Sequence, residues 1–364
     1  MPSILFWIVS GIVLVHLLNY IVVYSKILAK KKTFEHVQPL PISVIVYFKN
    51  QQDRVDYLLD KLFAQNYANF EIVAVDHDSV DETLIKLEEY QLKNPNLKIV
   101  KAHHIEAFWG NKKFALTLGI KAAKFEHLLF IDADFEPVSN QWMQHFSAGF
   151  NENKSIVLGY SSYIPEKTFL NLVSRFENVL QHMQFLGLAK LGKPYRGLGS
   201  NLAYRRAEFY RVRGFNDHIK IRGGVDELFI NQAANGKNTN ICVEPEAITL
   251  RASFKNYMLW SYYKRQQLDY VEHFKTFEKT YMRFWNINWV LFFVLMPVLW
   301  YTEGWIWALP LLIVRYLVTW IVFGKTCAHV KEPWLVYYFP FLELYWLFAF
   351  GAMKFTNLFS KPIP

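Results

Sequence analysis

Hydrophobic positions change their period along this chain, and each change marks a different kind of element. Ile4 to Tyr24 runs 21 residues without a charge. That is long enough to cross a hydrocarbon core of about 30 Å as a helix. From Ile42 the pattern becomes short β-branched runs alternating with helical stripes. Ile42–Phe48, Phe70–Val75, Leu97–Ala102 and His127–Ile131 read as strands. Between them, Val55, Leu58, Leu59 and Leu62, then Leu84, Leu87 and Tyr90, fall on single helix faces, and a further helix covers Lys112–Lys124. Continuous apolar strands alternating with helices predict an α/β domain with a parallel sheet covered on both faces. Helical spacing returns over Thr168–Leu191, Arg206–Val212 and Asp226–Asn235. The aromatic, basic stretch Phe254–Thr280 predicts an amphipathic helix, either at a membrane surface or packed on the α/β domain.

Phe284–Tyr301, Trp305–Phe323 and Trp334–Met353 are three more candidate spans, with Trp and Tyr crowding their ends as interfacial belts require. Pro297, Pro310 and Pro340 are candidate kinks. Arg315 and Glu343 lie inside the second and third spans and should face other helices, water or each other. The predicted organisation is a transmembrane helix in 1–25, an α/β domain in 40–280 ending in the amphipathic helix, and membrane helices in 284–353. No basic residue precedes the first run and no small-x-small site follows it, so it reads as a retained span rather than a cleaved leader.

Charge sets an orientation. Lys26, Lys30, Lys31 and Lys32 follow the first span, which places the α/β domain in the cytoplasm beneath a multi-pass inner (plasma) membrane protein. Lys354 and Lys361 favour a cytoplasmic C-terminus too. Three full crossings after residue 284 would not give that, so the last segment is also readable as re-entrant or interfacial. The net charge of +9 over 364 residues suits an anionic leaflet. No basic-aromatic stripe supports nucleic acid as a partner. Two cysteines, Cys242 and Cys327, leave no disulfide framework and no cysteine metal site.

Candidate chemistry gathers at predicted strand ends, where open α/β sheets bind ligands. Asp76 and Asp78 follow the second strand, and Asp132-Ala-Asp134 follows the fourth. Taken alone, either pair is equally a turn or a cap. Trp109-Gly-Asn-Lys-Lys113 opens the intervening helix, where the two lysines also read as a solvated face.

These segments together resemble the family 2 glycosyltransferases of the GT-A fold, a Rossmann-like nucleotide-diphospho-sugar transferase domain. The resemblance covers about residues 42–270 and lies nearest the membrane-anchored, processive-synthase-like branch. Ser43-Val-Ile-Val-Tyr-Phe-Lys-Asn50 is similar to the family's first-strand entry, with Tyr47 where proline is usual. Asp76-His-Asp-Ser-Val-Asp81 resembles its V-D-D-x-S-x-D element, with His77 in place of the second Asp. Lys112-Lys-Phe-Ala-Leu116 resembles its helix start and Asp132-Ala-Asp134 its D-x-D motif. Gly199-Ser-Asn-Leu-Ala-Tyr-Arg-Arg206 with Gly214-Phe215 resembles an acceptor-side segment, and Val225-Asp226-Glu227 its E-D.

The resemblance implies an inverting, metal-dependent transferase. It would move a sugar from a UDP-linked donor to a membrane lipid or lipid-linked acceptor. Tyr47, Asn50, Asp76, Asp78, Lys112, Lys113, Asp132 and Arg265 would contact the donor. Asp134 with Asp132 would hold Mg²⁺ or Mn²⁺, and Asp226 would be the base. Gly199, Asn201, Glu227 and Trp260 would line the acceptor side. Sliding the match by one residue puts Val225, which has no proton-accepting group, at the base position. Gln266 and Gln267 stand where processive synthases carry Arg-Trp, after Trp260. This demotes the alternative of a processive polysaccharide synthase. A non-catalytic membrane nucleotide-sugar-binding protein is the alternative from another class.

Overall fold

The computed structural model describes residues 3–28, 39–103 and 111–359. Lys30–Lys32, Trp109, Gly110 and Lys361 lie outside the described residues. The helices are α1 Ile4–Leu18, α2 Gln52–Phe63, α3 Thr83–Lys93, α4 Asn111–Ala122, α5 Trp142–Ser147, α6 Phe169–Lys190, α7 Arg206–Arg211, α8 Val225–Ala233, α9 Tyr257–Val271, α10 Thr276–Glu303, α11 Trp305–His329 and α12 Phe339–Phe359. The strands are β1 Ile42–Phe48, β2 Phe70–Asp76, β3 Leu97–Lys101, β4 His127–Asp132, β5 Phe135–Pro137, β6 Ile156–Gly159, β7 Ser161–Tyr163, β8 Leu202–Arg205, β9 Thr239–Cys242 and β10 Thr249–Arg251.

One seven-stranded sheet runs β3-β2-β1-β4-β8-β6-β9. Strands β1 to β4 are parallel, as their unbroken apolar runs predict. The parallel expectation holds for this half only. Strand β8 is antiparallel to both β4 and β6, so the sheet is mixed. β8 lies within the segment Gly199–Arg206, and β6, β8 and β9 have four residues each, too few to display a period of two. A small second sheet, β5-β10-β7, leaves the end of β4.

α6 is the central spar of the molecule. Thr168 caps it, its hydroxyl oxygen accepting from the Asn171 N–H at 3.2 Å, and both flanks of the helix are buried. α1 continues through a π turn, Asn19–Val23, into a 3₁₀ turn, Tyr24–Leu28, and that last turn lies on α6. A Cβ on Gly187 would sit 2.3 Å from the Val23 carbonyl oxygen, so only glycine permits this approach. Tyr20, Val23, Tyr24 and Ile27 therefore share one core with the sheet and with Phe323 and Phe339.

Among the described residues four helices, Ile4–Leu28, Thr276–Glu303, Trp305–His329 and Pro333–Phe359, are long and apolar enough to cross a membrane. α1, α10 and α11 pack on one another, whereas α12 packs chiefly on α6 and α9. Phe341 and Tyr345 meet Phe169, the next residue Trp346 meets Trp260, and near the helix end Asn357 accepts from Arg265 at 2.5 Å. α12 thus rests chiefly on the α/β domain and reaches the other three helices through Glu343. The two charges inside these apolar helices are paired: Arg315 bonds to Glu343 and to His16 Nδ1 at 3.1 Å, and the Trp289 indole N–H donates to Glu343 at 3.2 Å. One cluster thus ties four helices.

The amphipathic segment is shorter than its pattern suggests. It breaks at residues 272–275, and α10 begins at Thr276 without a second break near 281. α9 satisfies both readings of its pattern. Trp260, Lys264 and Tyr270 are buried, while Tyr257, Met258 and Leu259 are exposed.

Candidate active site

The parallel strands bring their C-terminal residues to one edge. Tyr47 pairs in register with Asp132, and Phe48 with Asp76. Beyond that edge two loops are laced together. The Asn50 N–H donates to Ser79 Oγ at 3.0 Å, and the Val80 N–H donates to the Asn50 carboxamide oxygen at 2.9 Å. Asn50 and Asp78 both adopt left-handed backbone, with φ of 52° and 49°, which short polar residues tolerate best. Asp81 accepts from the Thr83 N–H and hydroxyl and from the Gln52 N–H, fixing the start of α3. Asp76 is buried, and its Oδ1 has no hydrogen-bond partner. An orphaned buried acceptor at a strand end is what a donor group on a ligand would satisfy. His77 accounts for its own departure from the pattern, since its Nδ1 lies 2.7 Å from the Tyr47 hydroxyl. Asp78 points outward, 3.2 Å from His103.

Each aspartate of the pair after β4 carries a cation. Lys112 Nζ donates to Asp132 at 2.6 Å and lies 5.0 Å above the Tyr47 ring. Arg251 donates to Asp134 at 3.1 Å. Register puts Arg251 opposite Phe135 on one side and Tyr163 on the other, and its guanidinium also stacks 4.7 Å from the Phe254 ring. Burial raises the Asp134 pKa, Arg251 opposes this, and Asp132 adds to it. No group of three or more His, Cys, Asp or Glu capable of holding an ion alone occurs among the described residues. Two hard carboxylate groups fit Mg²⁺ or Mn²⁺ only where a ligand's phosphates complete the shell, which is the usual arrangement for these ions.

Across a cavity of about 290 Å³ from Asp132 lies Asp226. Gly223 and Gly224 have φ of 65° and 57°, and this left-handed turn starts α8 so that Asp226 faces inward. Asp226 is buried, and burial foremost pushes its pKa up to about 7, with Asp132 and Glu227 adding and Lys112 and the Gly199 backbone opposing. Gly199 is irreplaceable in this packing: a Cβ there would lie 2.2 Å from Asp226 Oδ2. Glu227 accepts from the Tyr270 hydroxyl at 2.6 Å, and Arg196 lies 3.8 Å away.

Other expected site residues are placed differently. Lys113 turns from the cavity and donates to the backbone carbonyls of His218 and Ile221 at 2.6 and 2.7 Å. Asn201 is a buried strut: it donates to the Tyr160 and Ala247 carbonyls and accepts from the Trp142 indole. Trp260 is buried against Trp346. Arg265 holds Asn357, while its neighbour Lys264 lines the cavity. Asp132, Asp226, Gly199, Glu227 and Lys112 do meet around one space. Sequence reasoning missed Arg251, Arg196, Tyr163 and Tyr270, none of which stands at a telling spacing. The paired glycines before Val225 were the one available signal for how Asp226 is aimed.

Residues 43–223 match the family model described as glycosyl transferase family 2. The Escherichia coli protein "UDP-Glc:alpha-D-GlcNAc-diphosphoundecaprenol beta-1,3-glucosyltransferase WfaP" is 26% identical over 129 residues, 35% of this chain and 48% of that protein. The Staphylococcus aureus poly(ribitol-phosphate) beta-N-acetylglucosaminyltransferase TarS is 31% identical over 121 residues, 33% of this chain and 20% of that protein. The chain thus spans half or less of these curated relatives. Among solved structures, the mannosyltransferase PcManGT from Pyrobaculum calidifontis, in complex with GDP-Man and Mn2+, aligns over 93% of this chain and 99% of its own, with a TM-score of 0.56 and 15% identity. That likeness is one of fold.

Proposed function

This chain carries a glycosyl transferase family 2 domain, and we propose that it moves a sugar, with inversion, from a UDP-linked donor to a hydroxyl of a membrane lipid or lipid-linked acceptor. The observation that carries the reading is Asp226, a buried carboxylate with a pKa of about 7 on the wall of the cavity that also holds Asp132 and Lys112. A base matched to neutral pH is what deprotonation of an attacking hydroxyl needs. Asp226 takes that proton as the hydroxyl oxygen bonds to the anomeric carbon and the bond to the diphosphate breaks. Asp76 and the laced loops hold the base and ribose, and Lys112 keeps a positive charge beside the diphosphate. A divalent ion held by Asp134 and Asp132 would offset the charge developing on the leaving group.

The membrane arrangement supports a lipid partner. In this reading α1, α10 and α11 cross the inner membrane, and α12 lies in its cytoplasmic face against α6 and α9, so that both chain ends of the C-terminal region and the transfer site share one side. WfaP, by its name, acts on a diphosphoundecaprenol-linked sugar, a lipid-linked acceptor of the class proposed here. The test is transfer from a panel of nucleotide sugars by membranes containing the protein, with and without Mn²⁺. Asp134→Ala should abolish the response to metal and Asp226→Asn should cut transfer by about 10²–10⁴-fold. Full transfer by Asp226→Asn would overturn the base assignment, and no binding of any nucleotide sugar under any metal condition would overturn the reading.

A further inference from the structure

A second cavity, about 200 Å³, adjoins the first. Trp285, Trp289, Trp346, Phe350 and Met353 supply its apolar wall. Gln181, Arg196, Lys264 and Gln267 line both cavities, so these four residues form the partition between the proposed transfer site and an aromatic chamber among α9, α10 and α12.

The partition is unusual in what it buries. Arg196 donates to the Gln181 carboxamide oxygen at 3.0 Å and to the Tyr270 hydroxyl at 3.2 Å, while its Nε has no hydrogen-bond partner. Lys264, equally buried, is ion-paired with Glu177. The carboxylates at hand are Glu177 on Lys264, Glu227 on Arg196, and Glu272 and Glu343 elsewhere on the wall of the second cavity. Arg251 lines the inner cavity as well. Burial lowers the Lys264 pKa and Glu177 raises it, while Arg196 and Arg251 lower it further, so the positive charges there repel one another despite their partners. Buried cations are costly unless paired. An arginine and a lysine between the transfer cavity and a chamber with one aromatic wall are arranged for an anion that enters with an apolar tail attached.

We infer that Arg196 and Lys264 form a subsite for the phosphate or diphosphate of an isoprenoid-type acceptor lipid, with its apolar chain in the aromatic cavity and its acceptor hydroxyl toward Asp226. Glu177 takes the place on Lys264 that this anion would fill, and on binding Lys264 exchanges it for the lipid phosphate. This inference rests on the lipid-acceptor reading above and adds the charge of the acceptor and the residues that read it.

Full-length protein in detergent micelles would be titrated with farnesyl diphosphate, farnesol and inorganic diphosphate, following tryptophan quenching. Farnesyl diphosphate is expected to bind at least about tenfold more tightly than either control. Arg196→Gln and Lys264→Met should each weaken it about tenfold, Arg196→Lys should stay within about threefold of wild type, and Glu177→Gln should tighten it. Wild-type elution in size exclusion establishes that each variant is folded. The Glu177→Gln gain is a direction that a merely scaffolding residue would not produce. The subsite is overturned if farnesol matches farnesyl diphosphate, if inorganic diphosphate does so, or if folded Arg196→Gln and Lys264→Met both bind as wild type. If neither isoprenoid binds while UDP with Mn²⁺ still does, the lipid-acceptor reading itself fails.

Discussion

Asp226 has a pKa of about 7 against an ordinary 3.8, which links activity to stability. Transfer should rise with pH through about 7 and level off above it, because only the carboxylate accepts a proton. A group whose pKa is raised by folding contributes stability below its unfolded pKa and loses it as pH climbs through the folded value. Asp226→Asn should therefore lower transfer by 10²–10⁴-fold yet raise the melting temperature at pH 8, where the lost burden is at most ~4 kcal/mol at ~1.4 kcal/mol per pH unit. Gly199→Ala makes a complementary test. Its Cβ would push Asp226 aside, so kcat should fall on the order of 10²-fold with donor affinity unchanged in calorimetry. Asn201→Ala should behave oppositely, leaving buried partners unsatisfied at about 1–3 kcal/mol each, so that thermal stability drops while donor affinity holds. Asp76 and Asp132 were legible because each ends an apolar strand at the sheet edge, whereas Asp226 stands in the first turn of α8 and was legible only through the resemblance. Arg251, 117 residues beyond Asp134, was not, because only the pairing of β10 between β5 and β7 brings it there.

At the level of elements, the seven-residue strands β1 and β2 announce themselves, whereas β6, β8 and β9 are recognisable only from their neighbours in the sheet. The same holds for membrane helices. Length and apolarity nominate α12 as a span, but its partners are α6 and α9. What its composition did suggest, a charge needing company, is met by Arg315 on α11. Breaking that pair leaves an uncompensated ion in an apolar bundle, so Glu343→Gln should destabilise by about 3–5 kcal/mol, while Arg315→Met combined with Glu343→Leu should come close to wild type. Thermal unfolding in detergent distinguishes the two. α9 mediates between these layers, with Lys264 facing the cavities and Met258 facing outward.

Across the whole molecule, no boundary separates anchor from enzyme. The hairpin between α11 and α12 reaches into the α/β domain through Glu332, which pairs with Arg175 on α6 and accepts from Ser162 of β7, a residue on the cavity wall. Linear sequence could place a span and a domain side by side but could not reveal that they interlock, since the contact depends on one missing Cβ at Gly187. The practical consequence concerns how this enzyme can be handled. Most anchored transferases invite trimming to a water-soluble piece, but here cutting after residue 28 would strip Tyr20, Tyr24 and Ile27 from α6 and leave an open greasy trench. A fragment spanning 39–275 should aggregate on expression, whereas the intact chain extracted in mild detergent should run as a single species on size exclusion. Purification tags belong on the chain ends, and screens for crystals or particles should begin from micelles.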